Sequence, residues 1–425
     1  MKPIALVDCN NFYCSCEREL QPKWTHRPIA VLSNNDGCIV SRSNELKALG
    51  VPMGAPYFKW KSFLATHQAI VVSSNYSLYG DMSARVMSAL GQFTPNVDIY
   101  SIDEAWLELA HVPRSDLIPY AETIGHVVRQ WTGIPVSIGI APTRVLAKIA
   151  NRLAKRQGTG GVFDWSTADF TDDSTDALLE TIAVEDIWGI GRRWGDRLRR
   201  VGITTARDLK AADPDRIRQK FSVVMQRIVL ELRGVPSIET EDIAPKQQII
   251  RSRSFGQRVT SLDHLRQAVT MHVSRAAEKL RAQHSVCGLA QVSIRTGLHN
   301  PREVPYSNHA IAQFPVPTAD TRRLVRGVLT ALESIYREGY RYAKAGVMLM
   351  DLSSDSGVQS DLFHSTDSER SRRLMTALDT VNQGMGRGSL FLAGQGNPER
   401  VPWLMKRGKT TPAYTTQWSD LMVVK

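Results

Sequence analysis

The sequence has no long apolar run and few cysteines, and both absences narrow the class of protein. No stretch approaches the roughly 20 apolar residues with which a helix spans a bilayer, and the apolar run before Asp8 is shorter than a secretory signal requires. The five cysteines are odd in number and include no CxxC pair, which disfavours a disulfide framework and a zinc site. We therefore expect a cytoplasmic protein with free thiols and no membrane partner.

A Walker A phosphate-binding loop is absent as well, so a P-loop NTPase is disfavoured. The sequence does have an excess of positive charge, with a formal net charge of +11, and most of it lies in one quarter of the chain. Residues 246–350 contain 16 lysines and arginines against 6 acidic residues, whereas residues 1–110 contain 9 against 10. This distribution predicts a nearly neutral catalytic region joined to a module that binds a polyanion.

The length of 425 residues and the order of apolar patterns predict an α+β protein of about two to four domains. Strand and helix patterns alternate over residues 1–165, only helical patterns occur over residues 166–235, and mixed patterns return over residues 249–351. A polar, proline-containing segment at residues 237–247 is typical of a linker. The polar composition after residue 353 favours a weakly ordered tail.

Acidic residues stand where predicted strands end. Asp8 follows the apolar run Ile4–Val7, and Asp103 and Glu104 lie at the turn inside Val97–Leu109. A carboxylate at the end of a buried strand is unfavourable unless it is paired or binds a cation, and carboxylate oxygens suit Mg²⁺. Convergence of the three acids predicts a site for two Mg²⁺ ions that activates one oxygen and stabilises another. The alternative is an ordinary solvated acid pair on a hairpin.

Candidate phosphate-binding residues lie on two predicted helices. Asn44 and Lys47 share one face of a short helix after the Ser33–Gly37 turn. Lys155 ends a second helix, on which it shares one face with Lys148 and Arg152. Each candidate could contact a triphosphate, and for each the alternative is a solvated surface residue.

Residues 186–209 have the pattern of a helical hairpin that binds DNA without reading its sequence. Gly189 and Gly191 permit a tight turn that exposes amide N–H groups before a basic helix. Arg192 and Arg193 begin that helix and add positive charge for a phosphate. The alternative is a plain helical hairpin with a solvated basic face.

Together these segments resemble the Y-family DNA polymerases over about 350 residues and in the family's order. The matching segments are VDCNNFYCSCE (7–17), SNELKALGVPMG (43–54), YSIDEAWLEL (100–109), SIGIAPTRVLAKIANRLAK (137–155) and WGIGRRWGDRLRRVGI (188–203). The segment SNNDGC (33–38) and the long tail are similar to the UmuC type within this family.

The resemblance implies a right-hand polymerase built from α+β and helical domains. The implied parts are a ferredoxin-like palm (1–11 and 76–165), small fingers (12–75), a helical thumb with a helix-hairpin-helix (166–236), a linker (237–247), an α/β little finger (248–351) and a tail (352–425).

Residue roles also follow from the resemblance. It makes Asp8, Asp103 and Glu104 catalytic metal ligands together with the backbone carbonyl of Cys9, and it makes Tyr13 a steric gate against a 2′-hydroxyl. The implied dNTP contacts are Phe12, Tyr13, Asn44, Lys47 and Lys155. The implied DNA contacts are Gly189, Gly191, Arg192, Arg193, Arg251 and Arg253, and the implied clamp-binding residues are Gln359, Leu362 and Phe363.

The activity implied by the resemblance is magnesium-dependent, template-directed and error-prone DNA synthesis past lesions, as part of SOS-type damage tolerance. The implied partners are primer-template DNA, a dNTP, the sliding clamp, a processed UmuD-like dimer and a recombinase filament. A two-metal nuclease and a non-catalytic DNA-binding subunit are the alternatives. A nucleotide cyclase would share the acidic arrangement but would have no use for the basic module.

Overall fold

The computed structural model describes residues 2–156, 160–166, 168, 172–238, 245–298, 300–301, 303–360, 362–397, 401 and 403–421. The chain forms two compact units: residues 1–33, 37–242 and 409–425 make the first, and residues 34–36 and 243–408 make the second. Residues 239–244 of the expected linker and Asp361 within the expected clamp peptide lie outside the described residues. No helix among the described residues is long and apolar enough to cross a membrane.

The described residues of the first unit contain eight strands and eleven α-helices, besides short 3-10 turns. The strands are β1 (Ile4–Cys9), β2 (Ile29–Leu32), β3 (Ile39–Arg42), β4 (Ile70–Ser73), β5 (Val97–Ile99), β6 (Glu104–Glu108), β7 (Val136–Ala141) and β8 (Val162–Asp164). The helices are α1 (Phe12–Glu19), α2 (Asn44–Ala48), α3 (Tyr57–Thr66), α4 (Tyr76–Leu90), α5 (Leu117–Thr132), α6 (Arg144–Arg156), α7 (Asp173–Glu180), α8 (Arg192–Arg199), α9 (Ala206–Ala211), α10 (Pro214–Lys220) and α11 (Val223–Leu232).

Strand β1 lies in the middle of a five-stranded sheet with the order β5-β6-β1-β7-β8, and it pairs antiparallel with both of its neighbours. Side chains alternate between the two faces of a strand. Ala5, Val7 and Cys9 therefore enter a core shared with α4 and α5, whereas Leu6 enters a second core shared with α6. The next residue on the α6 side is Asp8, so the alternation directs this carboxylate toward α6.

Helix α6 lies unusually close to the sheet because β7 has a glycine beneath it. A Cβ atom on Gly139 would lie 2.0 Å from the backbone nitrogen of Asn151 and 2.5 Å from the carbonyl oxygen of Ala147, both in α6. The Asn151 side chain also donates hydrogen bonds to the carbonyls of Leu6 (3.1 Å) and Ser137 (2.7 Å). These contacts fix α6 against the end of β1.

Two further groups of elements complete the first unit. Strands β3-β2-β4 form a small sheet, which has a separate core with α2 and α3. The described part of residues 166–235 contains helices and no strand, as predicted, and these helices share a core with α6. Thr143 accepts a hydrogen bond from Leu146 N (3.4 Å) at the start of α6 and donates one to Glu231 O (2.9 Å) in α11.

The second unit is an antiparallel sheet with helices packed against it. Its strands are β9 (Ile249–Val259), β10 (Ser285–Thr296), β11 (Ser307–Thr318) and β12 (Tyr342–Ser354), in the order β11-β10-β12-β9. Its helices are α12 (Leu262–Ala282), α13 (Thr321–Ile335) and α14 (Glu369–Gly384), and α12 and α13 form the core with the sheet.

The tail is more ordered than its polar composition predicts. It contains the 16-residue helix α14, whose Asp379 accepts two hydrogen bonds from Arg281 of α12, at 2.6 and 2.7 Å. Trp403 is buried in the core of the second unit. The prediction of weak order is wrong here because a few polar and aromatic contacts with residues far away in sequence, rather than a periodic apolar face, hold this segment.

Candidate active site

The sheet register places the predicted acids at one end of adjacent strands. Asp8 in β1 stands directly opposite Glu104 in β6. The backbone N–H of Cys9 donates a hydrogen bond to the carbonyl of Asp103 at 2.8 Å, and Ser101 Oγ donates one to Asp103 Oδ1 at 2.6 Å. The three carboxylates, which come from two segments far apart in the sequence, therefore belong to one small region of the fold.

Two lysines of α6 face these carboxylates. Lys155 Nζ lies 2.6 Å from Asp8 Oδ2, and Lys148 Nζ lies 3.1 Å from each carboxylate oxygen of Glu104. The two lysines are seven residues apart and share one helix face. Their shared face was noted in the sequence, but Lys148 was not predicted as a site residue. Arg152, between them, pairs with Asp186 at 2.8 Å.

The carboxyl group of Asp8 is in an unfavourable place for a negative charge. Burial raises the pKa of Asp8, Glu104 raises it further, and Lys155 opposes the rise. The Cys9 thiol points into the opposite core, where burial and then the charges of Asp8 and Asp103 raise its pKa well above the usual range. The Cys9 side chain is thus no thiolate ligand, and only its backbone could serve a metal ion.

The donor set fits a hard divalent cation in its chemistry. Three carboxylates lie at neighbouring strand ends, and cationic amines compensate two of them in this structure. Among the residues that the structure describes, no three acidic, histidine or cysteine side chains already converge as a complete metal site. A cation at Asp8 and Glu104 would therefore compete with the amines of Lys155 and Lys148 for the same oxygens.

Tyr13 lies in the first turn of α1, directly after the acidic strand end. Its ring stacks on Tyr79 of α4, with centroids 4.3 Å apart and planes inclined by 14°, and meets the edge of Tyr76 at 6.2 Å. Tyr13 is partly buried, whereas Phe12 is only 3% exposed and packs in the core. A nucleotide contact by Phe12 is therefore possible through its backbone but not through its ring.

An asparagine that the sequence reasoning did not single out connects α1 with α2. Asn11 adopts a left-handed conformation (φ 51°) before α1, and its Nδ2 donates a hydrogen bond to Asn44 Oδ1 at 2.8 Å. Lys47 Nζ donates to Asn11 Oδ1. The structure thus brings Asn44 and Lys47 beside the residue that precedes Phe12 and Tyr13. The tandem asparagines in VDCNNFY were the available signal, since asparagine tolerates this conformation.

Lys47 is part of a cationic group that converges from separate elements. Burial lowers its pKa, and the charges of Arg42 and Lys155 lower it further. Such a concentration of like charge is unfavourable without an anion, and it suits a polyphosphate. Arg42 was also missed by the sequence reasoning, because nothing in its local pattern separates it from a surface arginine.

The glycines of the predicted DNA-binding hairpin lie directly before α8, and a short 3-10 turn (Val184–Asp186), not the predicted α-helix, precedes them. Gly189 has φ 90°, a conformation that favours glycine, and Gly191 is the N-cap of α8. Arg192 and Arg193 are exposed in the first turn of α8. Arg199 is instead held by Glu185 (2.5 Å) and Asp196 (2.6 Å) within the hairpin, so its charge is compensated.

Arg251 and Arg253 lie on the side of β9 that packs against helices. They alternate with Ile250, which is 63% exposed on the other side of the strand, whereas Ile249 and Phe255 on their own side enter the core. Burial lowers the pKa of Arg251, and the charges of Arg253, Arg275 and Arg387 lower it further. These arginines therefore form a second cationic group, on the helix side of the strand.

The expected clamp peptide presents its apolar residues to solvent. Leu362 is 96% exposed and Phe363 is 89% exposed. Gln359 is also exposed. Neither Leu362 nor Phe363 belongs to a hydrophobic core formed by the described residues, so core packing does not explain these two apolar side chains.

Comparison with known proteins matches three regions of the chain to family models. Residues 7–152 match the impB/mucB/samB family, and residues 246–362 match the impB/mucB/samB family C-terminal domain. Residues 372–424 match a domain of unknown function.

Individual relatives match over their whole length. The chain is 44% identical to Protein UmuC of Salmonella typhimurium, over 99% of this chain and 100% of that protein. It is 42% identical to Protein SamB of Salmonella typhimurium, over 99% of each chain. A solved Y-family DNA polymerase chimera of Dbh and Dpo4 has a TM-score of 0.65 at 20% identity, over 83% of this chain and 99% of that one, which shows a shared fold.

Proposed function

We propose, from the premise that the chain belongs to the impB/mucB/samB family and is a translesion DNA polymerase of the SOS mutagenesis type, that Asp8, Asp103 and Glu104 form its nucleotidyl-transfer site. Divalent-metal dependence is a property of this family. The observation that carries the proposal is the β1–β6 register, which sets Asp8 opposite Glu104 with Asp103 beside them.

The proposed ligands of two Mg²⁺ ions are these three carboxylates and the carbonyl of Cys9. When bound, the ions would stabilise negative charge on the attacking 3′-oxygen of the primer and on the leaving pyrophosphate. The protein's own part is to keep these carboxylates in place and to hold the triphosphate of a dNTP. Lys47 and Lys155 suit that second task because they converge from different helices, with Asn44 beside Lys47.

Tyr13 is proposed to select the sugar of the nucleotide. Its ring packs against two other tyrosines at the acidic strand end, and these contacts restrict the orientation of the ring. A rigid ring below a sugar excludes a 2′-hydroxyl by shape, which is the role implied by the family resemblance.

The remaining assignments divide the chain among the parts of a right hand. The five-stranded sheet with α4 to α6 would be the palm (1–11 and 76–165), the small sheet with α2 and α3 the fingers (12–75), and helices α7 to α11 the thumb (166–236). The sheet of β9 to β12 would be the little finger (248–351), after a linker (237–247) and before the tail (352–425).

Partners are proposed on the same basis. The exposed glycine turn and arginines of α8, and the cationic group that includes Arg251 and Arg253, support binding of primer-template DNA through its phosphates. The exposure of Leu362 and Phe363 supports a clamp-binding peptide. A processed UmuD-like dimer and a recombinase filament are proposed from the resemblance alone. A cytoplasmic location is proposed as well, and the five free cysteines agree with it.

Substitution of Glu104 tests the catalytic assignment against a matched position on the same strand. Glu104→Gln is expected to reduce extension of a labelled primer roughly 100-fold or more, with DNA affinity unchanged, because an essential charge at the reacting phosphates is lost. Glu108→Gln changes the same residue type four positions along β6, where Glu108 is exposed, and is expected to retain activity. Full activity of Glu104→Gln would exclude the proposed site. Degradation of the primer by the wild-type protein would favour a nuclease.

A further inference from the structure

A segment of the tail, Lys409–Tyr414, lies against the first unit, and we call it the strap. At one end, Lys409 N donates a hydrogen bond to Ser73 Oγ, and Ser73 N donates one to Lys409 O, both at 3.0 Å. At the other end, Gln21 Nε2 donates a hydrogen bond to the hydroxyl of Tyr414 at 2.6 Å. The strap is therefore fixed both at the end of β4 and just beyond α1.

The middle of the strap reaches a buried carboxyl group. Thr411 Oγ1 donates a hydrogen bond to Glu17 Oε1 at 3.1 Å, and the hydroxyl of Tyr79 donates to the same oxygen at 2.7 Å. Glu17 is 1% exposed and lies one helical turn after Tyr13 in α1. Its second oxygen, Oε2, is buried and has no hydrogen-bond partner among the described residues. Glu17 Oε1 thus joins the strap to Tyr79.

The strap also holds the first residue of the helix that carries Tyr79. Asn75 is the N-cap of α4, and its side-chain oxygen accepts a hydrogen bond from Leu78 N at 3.4 Å. The amide nitrogen of the same side chain donates to Thr411 O, Thr411 Oγ1 and Pro412 O, each at 3.1 Å. The strap consequently orients the side chain that begins α4, and α4 carries Tyr79 one turn later.

Tyr79 transmits this position to Tyr13. Its ring is completely buried and stacks on the Tyr13 ring at 4.3 Å, while its hydroxyl is fixed by Glu17. We propose that the strap is a positioning element for sugar selection: Thr411, through Glu17 and Tyr79, sets the orientation of the Tyr13 ring. The proposal rests on the proposed role of Tyr13 as steric gate, and it gives a function to residues within the C-terminal domain of unknown function.

The test compares incorporation of a ribonucleotide with that of the matching deoxyribonucleotide by the full-length chain on a primer-template, as a ratio of kcat/KM values. Thr411→Val removes the hydroxyl at nearly constant size and is expected to lower the preference for dNTP about two- to tenfold, the effect of one ordinary hydrogen bond. Thr411→Ser keeps the hydroxyl and should restore the preference. Tyr79→Phe, which cuts the connection from the other side of Glu17, should resemble Thr411→Val.

The variant Tyr13→Ala separates failure of this inference from failure of the proposed function. It should abolish most of the preference, and adding Thr411→Val to it should change nothing further, because the strap would act only through the Tyr13 ring. If Tyr13→Ala loses the preference but both Thr411→Val and Tyr79→Phe keep it, the strap has no positioning role. Equal losses in Thr411→Val and Thr411→Ser would also overturn it. An unchanged preference in Tyr13→Ala would remove the steric gate and this inference together.

Discussion

Glu17 offers a stability prediction that depends on pH and involves no ligand. Its carboxyl group is buried between α1, α4 and the strap, and burial raises its pKa to about 7 from an ordinary 4.5, although hydrogen bonds from Tyr79 and Thr411 oppose the rise. The folded state therefore holds a proton on Glu17 under conditions in which the unfolded chain has released it.

The sign and size of the effect follow from this difference. Below about pH 4.5 the group is protonated in both states, so it has no differential effect. Between about pH 4.5 and 7 the unfolded chain ionises first, and the free energy of unfolding falls as pH rises. Above about pH 7 the loss is complete and amounts to about 3 kcal/mol. Glu17→Gln keeps an uncharged acceptor for Tyr79 and Thr411, and removes this dependence.

The measurement is urea unfolding of the wild type and of Glu17→Gln at pH 5 and pH 8. Hydrogen-exchange mass spectrometry of peptides from α1 and α4 would report the first unit by itself. From pH 5 to pH 8 the free energy of unfolding of Glu17→Gln, relative to that of the wild type, should rise by about 2 to 3 kcal/mol. Glu122→Gln, an exposed substitution on α5, should follow the wild type. Parallel pH dependences for Glu17→Gln and wild type would refute the reasoning.

Two other predictions concern packing and DNA affinity. Gly139→Ala should destabilise the first unit by at least about 3 kcal/mol, since its Cβ would overlap backbone atoms of α6. Gly80→Ala, in α4 with open space around it, should stabilise it by about 0.5 to 1 kcal/mol, and denaturant titration compares the two. Replacing both Arg192 and Arg193 by alanine should reduce the salt dependence of DNA binding by about two counterions, measured by fluorescence anisotropy. Arg199→Ala should reduce it less, because acidic neighbours already compensate Arg199.

The parts of the site that could be predicted from the sequence are those with a pattern among neighbouring residues. The apolar run before Asp8 and the alternation around Asp103 and Glu104 were enough to predict strand ends with acids. The pairing partner and register were not predictable from these patterns, because a strand's periodicity specifies its faces but not its neighbours. The i, i+7 relation between Lys148 and Lys155 was visible, yet only the fold shows that their shared face meets the carboxylates.

The strap shows most clearly where local reasoning ends. Thr411 and Glu17 are joined by one side-chain hydrogen bond although almost the whole chain separates them in sequence, and neither has a periodic pattern that points to the other. A segment without an apolar face predicts weak order, since it buries little surface of its own. Here the order of the strap comes from its hydrogen bonds to Glu17 and Asn75, two polar side chains that are buried in α1 and at the start of α4. A buried carboxyl group such as that of Glu17 is unfavourable without hydrogen-bond donors. The residues next to Glu17 in sequence do not supply these donors, so they come from distant segments of the chain. An acidic residue on an otherwise apolar helix face therefore predicts that a polar segment distant in sequence supplies hydrogen-bond donors to it.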